Sequence, residues 1–137
     1  MSCAIELLDD ALAQADDNTY EVLVAVEEGG DAQDAGVGVP IGYACFGATP
    51  MTDASFDLYW LVVAEEARGR GIGRGLLAAV EANVRARGGA RVRIETSSLE
   101  GQGGAARFYA ASGYERAGSI GDFYRPGDDL ITFLKVL

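Results

Sequence analysis

The segment from Arg68 to Gly75 constrains this chain most, because it joins the strand-like run Leu58–Val63 directly to an amphipathic helical pattern that begins at Ile72. Glycine removes the Cβ atoms that would keep a ligand away from the backbone. The first N–H groups of a helix have no partners inside the helix, and the helix dipole adds partial positive charge. Three arginines flank the same turn, so we expect it to hold a phosphate group.

Two common glycine-loop signatures do not fit this segment. A Walker loop ends in Gly-Lys-Ser/Thr, and the only lysine of the chain is Lys135. A dinucleotide fingerprint G-x-G-x-x-G that starts at Gly71 would place its third glycine at Leu76. The pattern that fits is Arg68-x-x-Gly71-x-Gly73. The alternative is a glycine-rich turn that only lets the helix pack tightly on the sheet.

Two motifs resemble one family. The run from Val63 to Gly73, with Leu76 and Leu77 after it, resembles the acyl-CoA pyrophosphate loop of the GCN5-related N-acetyltransferase (GNAT) superfamily. The run from Arg107 to Tyr114 resembles the second signature of that superfamily, an F-Y-x-x-x-G-F/Y helix that borders the thioester. The two motifs occur in the family order, and the resemblance covers residues 20–137.

The resemblance implies a fold and a cofactor. The fold would be α/β, a mixed central sheet flanked by helices, as one acyl-CoA N-acyltransferase domain over residues 1–137 with a shortened N-terminal region. The cofactor would be acetyl-CoA. The expected cofactor-binding residues are the end of the strand and the whole glycine loop: Leu61, Val62, Val63, Arg68, Gly69, Arg70, Gly71, Ile72, Gly73, Arg74 and Gly75.

The resemblance also implies catalytic roles. Tyr109 would be the acid that protonates the departing thiolate; its alternative is a core aromatic residue beside Phe108. Glu95, at the end of its predicted strand, is the first candidate for the base, acting through water. The alternative for Glu95 is an ion pair with Arg93 or Arg91.

Four more residues are expected to line the acceptor site. Asp57 is the second candidate base and lies on the same predicted strand face as Tyr59 and Leu61. Asp122 and Tyr124, before the last strand, complete the set. The alternative for Asp57 is an acid that simply lies near the exposed end of a strand. The alternative for Asp122 and Tyr124 is an ordinary hairpin without a role in binding.

Composition excludes several classes of function. The chain has no histidine, which removes Ser-His and Cys-His nucleophiles and imidazole metal sites, and we predict no metal. Cys3 and Cys45 lack metal-ligand spacing, and a buried thiol is expected at Cys45. No apolar stretch reaches the length of a membrane span, and the N-terminus is acidic where a signal peptide would be basic. We therefore expect a cytoplasmic protein.

The charge is distributed unevenly. The net charge is −10, and no lysine or arginine precedes Arg68. We interpret the arginines as the seat of an anionic cofactor and the acidic half as attractive to a cationic acceptor. A solvated surface of the salt-adapted kind is the alternative for most of the acids. Nucleic acid is disfavoured as a partner.

The periodicity predicts the order of the elements. Expected helices are Ile5–Ala15, one from Ile72 that stops at Gly88-Gly89, and Ala105–Ala111, with Gly113 as a C-cap. Expected strands are Tyr20–Glu27, Val39–Gly47, Phe56–Val63, Arg91–Thr96, Tyr114–Ile120 and Leu130–Leu137. Residues 29–38 and 101–104 are expected to be loops, and Pro126-Gly127 suits the centre of a type II turn that joins the last two strands.

The short N-terminal region predicts a sheet without its first strand. The exposed edge that would result favours a homodimer. The leading hypothesis is an N-acetyltransferase that acts on a primary amine of a small molecule or peptide by direct transfer in a ternary complex. The alternative is a non-catalytic module that binds or senses acyl-CoA.

Overall fold

Residues 3–8, 20–28, 38–99 and 104–137 are described by the computed structural model. Within these residues seven strands form one sheet, in the order β1-β2-β3-β4-β5-β7-β6. The strands are β1 Cys3–Leu8, β2 Glu21–Glu28, β3 Gly38–Ala48, β4 Ser55–Val63, β5 Arg91–Ser97, β6 Glu115–Arg125 and β7 Asp128–Val136. Only β4 and β5 pair in parallel; the other neighbours are antiparallel. The predicted mixed sheet is confirmed.

Two α-helices cover one face of this sheet. Helix α1, Ile72–Ala86, makes the crossover between β4 and β5, and helix α2, Ala105–Ala111, follows β5. The apolar stripe of α1 packs onto the sheet through four fully buried or nearly fully buried side chains, Leu76, Leu77, Val80 and Val84. The helices predicted from Ile72 and over Ala105–Ala111 are both confirmed.

The opposite face of the sheet is called the open face below. It is formed by the strand residues whose side chains point away from the helices. Ala44 on β3 lies in the core beneath α1, whereas Tyr43 and Trp60 are 42% and 58% exposed. Cross-strand pairing puts Cys45 opposite Trp60 and Tyr43 opposite Val62, so these four residues share the open face.

The N-terminal prediction was wrong. Cys3–Leu8 is a strand that pairs antiparallel with β2, where a helix over Ile5–Ala15 was expected; residues 9–15 lie outside the described part. Ile5 faces Ala25 of β2 in this pairing. A short apolar run is compatible with both the helical and the strand periodicity, and pairing with a neighbouring strand decides between the two structures. The first strand of the sheet is therefore present, and the homodimer loses the premise on which it was expected.

The C-terminal hairpin is longer than predicted, but its turn is as expected. Strands β6 and β7 are joined by Pro126 and Gly127, and Gly127 has a φ of 84°. A type II turn requires a positive φ at its second central residue, which glycine adopts without strain.

A buried polar network joins the two helices to β7. The Glu81 carboxylate of α1 accepts a hydrogen bond from the Tyr114 hydroxyl at 2.9 Å. It also accepts one from the Lys135 ammonium at 3.1 Å, and that ammonium donates to the Ser112 carbonyl. Glu81 is 7% exposed, so its charge depends on these donors.

We expect Lys135→Met to destabilise the fold, because it leaves the Glu81 carboxylate buried without its cation. The loss in the free energy of unfolding should be about 2–3 kcal/mol, on the low side for a buried pair since the Lys135 side chain is 25% exposed. Urea denaturation measures it, and the double variant Glu81→Leu/Lys135→Met should recover part of the loss. An unchanged midpoint in Lys135→Met would show that the pair contributes nothing.

Candidate active site

The glycine loop adopts a backbone that other residues would strain. Gly69 and Gly71 have φ values of 82° and 80°, and no atom lies within 4 Å of the position that a Cβ would take at either residue. The two glycines are thus required by their backbone conformation, and the space beside them is open. An anion can approach the main chain at this point.

Helix α1 begins directly after this loop and has no side-chain cap. Its first intrahelical bond runs from the Gly75 amide to the Gly71 carbonyl at 3.0 Å. The amides of Ile72, Gly73 and Arg74 precede that bond, and the helix itself offers them no acceptor. Their uncapped N–H groups and the helix dipole together favour an anion here.

Of the loop arginines, two are engaged within the protein. Arg70 forms a salt bridge with Glu27 of β2 at 3.4 Å, and the Arg68 Nε donates to the Val63 carbonyl at 3.4 Å. Arg74 lines a cleft of about 260 Å³ between α1, the end of α2 and Lys135 of β7. The acidic β2 thus partly neutralises the basic loop, which the sequence did not reveal.

Gly73 is where the two sequence motifs meet. A Cβ at this residue would lie 3.6 Å from Val63 of β4 and 3.6 Å from the Phe108 ring of α2. The end of β4, the glycine loop and helix α2 therefore converge on one corner of the sheet.

The same corner contains a gap in the sheet, called the fork below. Strands β4 and β5 pair through four residues, from Ser55 opposite Arg91 to Leu58 opposite Ile94, and beyond that point no pairing joins them. Leu61, Val62 and Val63 pair with β3 on one side only. Their other edge faces the fork and leaves main-chain groups for a ligand.

A β-bulge in β4 changes which side chains line the fork. Cys45 pairs with Trp60 and Phe46 pairs with Leu58, so Tyr59 is an extra residue. Tyr59 and Trp60 consequently both lie on the open face, and Leu61 packs against the core. The prediction that Asp57, Tyr59 and Leu61 share a face was therefore wrong at Leu61.

Asp57 is held in an ion pair immediately before the fork. Its carboxylate accepts bonds from Arg93 at 2.7 and 3.2 Å and from the Thr49 hydroxyl at 2.9 Å, and the residue is 7% exposed. The hydrogen bond that Arg93 donates to Asp57 is the main cause that raises the pKa of Arg93. With its oxygens occupied, Asp57 is poorly suited to accept a proton.

Glu95 occupies the exposed position next to this pair. The expected alternative, an ion pair with Arg93, is not what the structure shows, because the hydrogen bonds of Arg93 go to Asp57. Glu95 faces Thr132 of β7 on the open face, and its charge contributes to the raised pKa of Tyr124, after burial. Glu95 and Tyr124 are therefore close enough to interact electrostatically.

Asp122 has a structural role in the β6–β7 hairpin. It adopts a positive φ of 55°, its amide donates to Asp129, and its carboxylate accepts the Gly127 amide at 2.8 Å. These bonds stabilise the irregular segment of β6 between Ile120 and Arg125, which contains Phe123 and Tyr124. Asp122 thus shapes the hairpin segment that carries Tyr124.

Tyr109 is the buried residue of helix α2 and packs against Phe108, Tyr114 and Phe133 at ring distances of 5.3 to 6.1 Å. It is 7% exposed, and burial raises the pKa of its hydroxyl to about 12. No described residue forms a hydrogen bond with that hydroxyl. Both interpretations of Tyr109, core aromatic and proton donor, are compatible with this environment.

Sequence reasoning named Tyr59 but missed its two aromatic neighbours, Tyr20 and Trp60. Tyr20, which precedes β2, contacts Tyr59 with ring centroids 5.1 Å apart, and Trp60 lies 6.1 Å from Tyr59. Strand alternation places Tyr59 and Trp60 on opposite faces. Only the bulge, which had no sequence signal, brings them together.

Two absences hold for the residues that the structure describes. They contain no group of three or more His, Cys, Asp and Glu side chains that could hold a metal ion. None of their helices combines the length and apolar character that crossing a membrane requires.

Comparison with known proteins identifies the family. Residues 18–116 match the family model of the acetyltransferase (GNAT) domain. That match covers more than half of the chain, so the protein belongs to the GNAT acetyltransferases. A search of curated proteins gave no match.

Solved structures share the fold over nearly the whole chain. A protein from Desulfovibrio desulfuricans assigned to the GNAT family is 28% identical, with a TM-score of 0.84 over 98% of this chain and 99% of that one. A GNAT acetyltransferase from Elizabethkingia anophelis with acetyl-CoA bound is 15% identical, with a TM-score of 0.73 and 98% of both chains covered. An aminoglycoside 6′-N-acetyltransferase complexed with coenzyme A is 20% identical, with a TM-score of 0.71, and covers 93% of this chain and 78% of its own.

Gly71→Val should abolish most of the affinity for coenzyme A, because the new side chain enters the open space beside the uncapped helix terminus. Loss of one or two charge-assisted hydrogen bonds corresponds to roughly 10- to 100-fold in Kd, measurable by isothermal titration calorimetry. Gly88→Val is the matched control. Gly88 has a φ of 79° and open space around it, but it lies at the other end of the same helix. Equal affinities in the two variants would contradict the loop assignment.

Proposed function

We propose that this protein transfers the acetyl group of acetyl-CoA to a primary amine of a small molecule or peptide. The observation that carries the proposal is the coincidence of three features at one corner: the uncapped terminus of α1, the open loop at Gly69 and Gly71, and the fork between β4 and β5. Family membership supports acetyl transfer, and the fold relative that holds acetyl-CoA supports the cofactor.

The chain's own groups are assigned as follows. The amides of Ile72, Gly73 and Arg74 bind the pyrophosphate. Main-chain groups of Leu61, Val62 and Val63 hold the pantetheine arm at the fork edge and polarise the thioester carbonyl. That edge suits both roles because β5 does not pair with it.

The reaction is a direct displacement within a ternary complex. The amine nitrogen forms a bond to the thioester carbon, the tetrahedral intermediate collapses, and the carbon–sulfur bond breaks. The amine loses one proton, and the thiolate gains one. Cys45 is 5% exposed, and burial raises the pKa of its thiol, which argues against an acyl-cysteine intermediate at that residue.

Glu95 is assigned as the base that receives the amine proton through water. It is exposed at the fork, whereas Asp57 is bound by Arg93 and Thr49. Tyr124 lies beside Glu95 and lines the acceptor side. The structure thus favours Glu95 over Asp57 as the proton acceptor.

Tyr109 is assigned as the donor to the thiolate. Because its pKa is about 12, it keeps its proton throughout the physiological range and donates a hydrogen bond to the developing negative charge on sulfur. The raised pKa makes Tyr109 a weaker acid than free tyrosine, so the mechanism uses the constant presence of its proton and not its acidity.

The competing function is a module that binds or senses acyl-CoA without turnover. It shares the glycine loop but requires neither Tyr109 nor Glu95. Thiol release from acetyl-CoA over a panel of amines separates the two functions. Binding of acetyl-CoA without thiol release for any amine would support the module and contradict the enzyme.

Tyr109→Phe should slow thiol release by roughly 10²- to 10⁴-fold, the usual contribution of a positioned proton donor, and leave the affinity for coenzyme A nearly unchanged. Tyr43→Phe is the control, since Tyr43 is an exposed tyrosine on the opposite face of the sheet. Equal rates for the two variants would assign Tyr109 to the core alone.

The pH profile provides a separate test of Tyr109. A group with a pKa of about 12 is only about one hundredth deprotonated at about pH 10, so Tyr109 should cause no decline in rate up to that pH. Stopped-flow or plate assays of thiol release between about pH 6 and 10 measure this. An alkaline decline below about pH 10 that disappears in Tyr109→Phe would contradict the raised pKa.

A further inference from the structure

The open face beside the fork carries three aromatic side chains, of which the central one, Tyr59, contacts the other two. The Tyr20 and Tyr59 rings meet edge to face at 62°, and the Trp60 ring is tilted by 45° from Tyr59. Tyr20 is 42% exposed and Trp60 58% exposed. We call Tyr20, Tyr59 and Trp60 the aromatic cluster.

This cluster is shaped by two backbone features. The bulge turns Tyr59 and Trp60 to the same face. Strand β3 lies between the strand that follows Tyr20 and β4, but Gly47, opposite Asp57 on β3, presents no side chain, so the Tyr20 and Tyr59 rings can meet across it. Exposed rings held side by side by the backbone offer apolar surface that water covers poorly.

The charges around the cluster make it selective for a cation. The Arg93 guanidinium donates to both carboxylate oxygens of Asp57, so the charges of these two residues neutralise each other. Glu95 is exposed on the same face, and its negative charge, after the Asp57 hydrogen bond, contributes to the raised pKa of Arg93. The unneutralised charge at this edge of the fork is therefore negative.

We propose that the acceptor is a primary amine carried on an aromatic or other flat apolar body, which stacks on the aromatic cluster while its ammonium lies between the ring faces and Glu95. The inference rests on the proposed function and names its substrate class. Cation–π attraction and ring stacking both favour such an amine over a highly hydrated polycation.

A kinetic comparison tests the substrate class. 2-Phenylethylamine, ethanolamine, spermidine and kanamycin all present primary amines, but only the first carries an aromatic body. We expect kcat/KM for 2-phenylethylamine to exceed those for the other three by about 10-fold or more. A preference for any of the other three over 2-phenylethylamine would overturn the inference and leave the proposed transferase intact. Absence of thiol release with all four would remove both.

Variants of the cluster test its part in that preference. Tyr59→Leu and Trp60→Leu should each lower kcat/KM for 2-phenylethylamine by about 5- to 30-fold, the range of a partly desolvated aromatic contact, with unchanged affinity for acetyl-CoA. Val136→Ala is the matched control, because Val136 is an exposed apolar residue at the other end of β5 and β7. An unchanged preference in both cluster variants would overturn the inference.

Trp60 allows binding to be observed without turnover, since it is the only tryptophan of the chain. With coenzyme A present in place of acetyl-CoA, 2-phenylethylamine should change the Trp60 emission in a saturable manner, and ethanolamine should not. Equal responses to both amines would contradict the proposed contact.

Sedimentation of wild type and Trp60→Leu tests whether a second copy of the chain binds the aromatic cluster instead. A wild-type dimer that is lost in the variant would assign the cluster to an interface and overturn the inference.

Discussion

The site depends on two parallel strands that pair for four residues and then separate. Asp57 and Arg93 form the third of these four residue pairs and are joined by hydrogen bonds at 2.7 and 3.2 Å. Beyond them the bulge at Tyr59 bends β4 away, which leaves one strand edge unpaired. The loop that follows β4 then brings the uncapped terminus of α1 to the same corner, so the proposed cofactor and acceptor sites both depend on one break in the sheet.

In the proposed function, the position of the fork also separates the cofactor from the acceptor in space. The glycine loop and Tyr109 belong to the face that α1 and α2 cover, whereas Glu95, Tyr124 and the aromatic cluster belong to the open face. A thioester threaded through the gap would meet an amine that approaches from the other side. Direct transfer requires this arrangement, because donor and acceptor must be bound together.

The sequence predicted the part of the fold that local rules determine. The helix from Ile72, the helix Ala105–Ala111 and the turn at Gly127 depend on periodicity, glycine conformations and capping, which one segment carries by itself. The N-terminal strand depends on pairing between Ile5 and Ala25, and the bulge on a register between β3 and β4. Such non-local contacts leave no periodic signal. For the same reason the pairing of Asp57 with Arg93 and of Arg70 with Glu27 could not be predicted, although all four residues were visible as charges.

The central claim is that coenzyme A binds through the backbone of the glycine loop, and amide NMR during a titration with coenzyme A tests it most directly. The account predicts that the largest shifts fall on the amides of Gly71, Ile72, Gly73 and Arg74, with smaller ones along Leu61 to Val63. Saturable shifts concentrated elsewhere, with these loop amides unmoved, would contradict it.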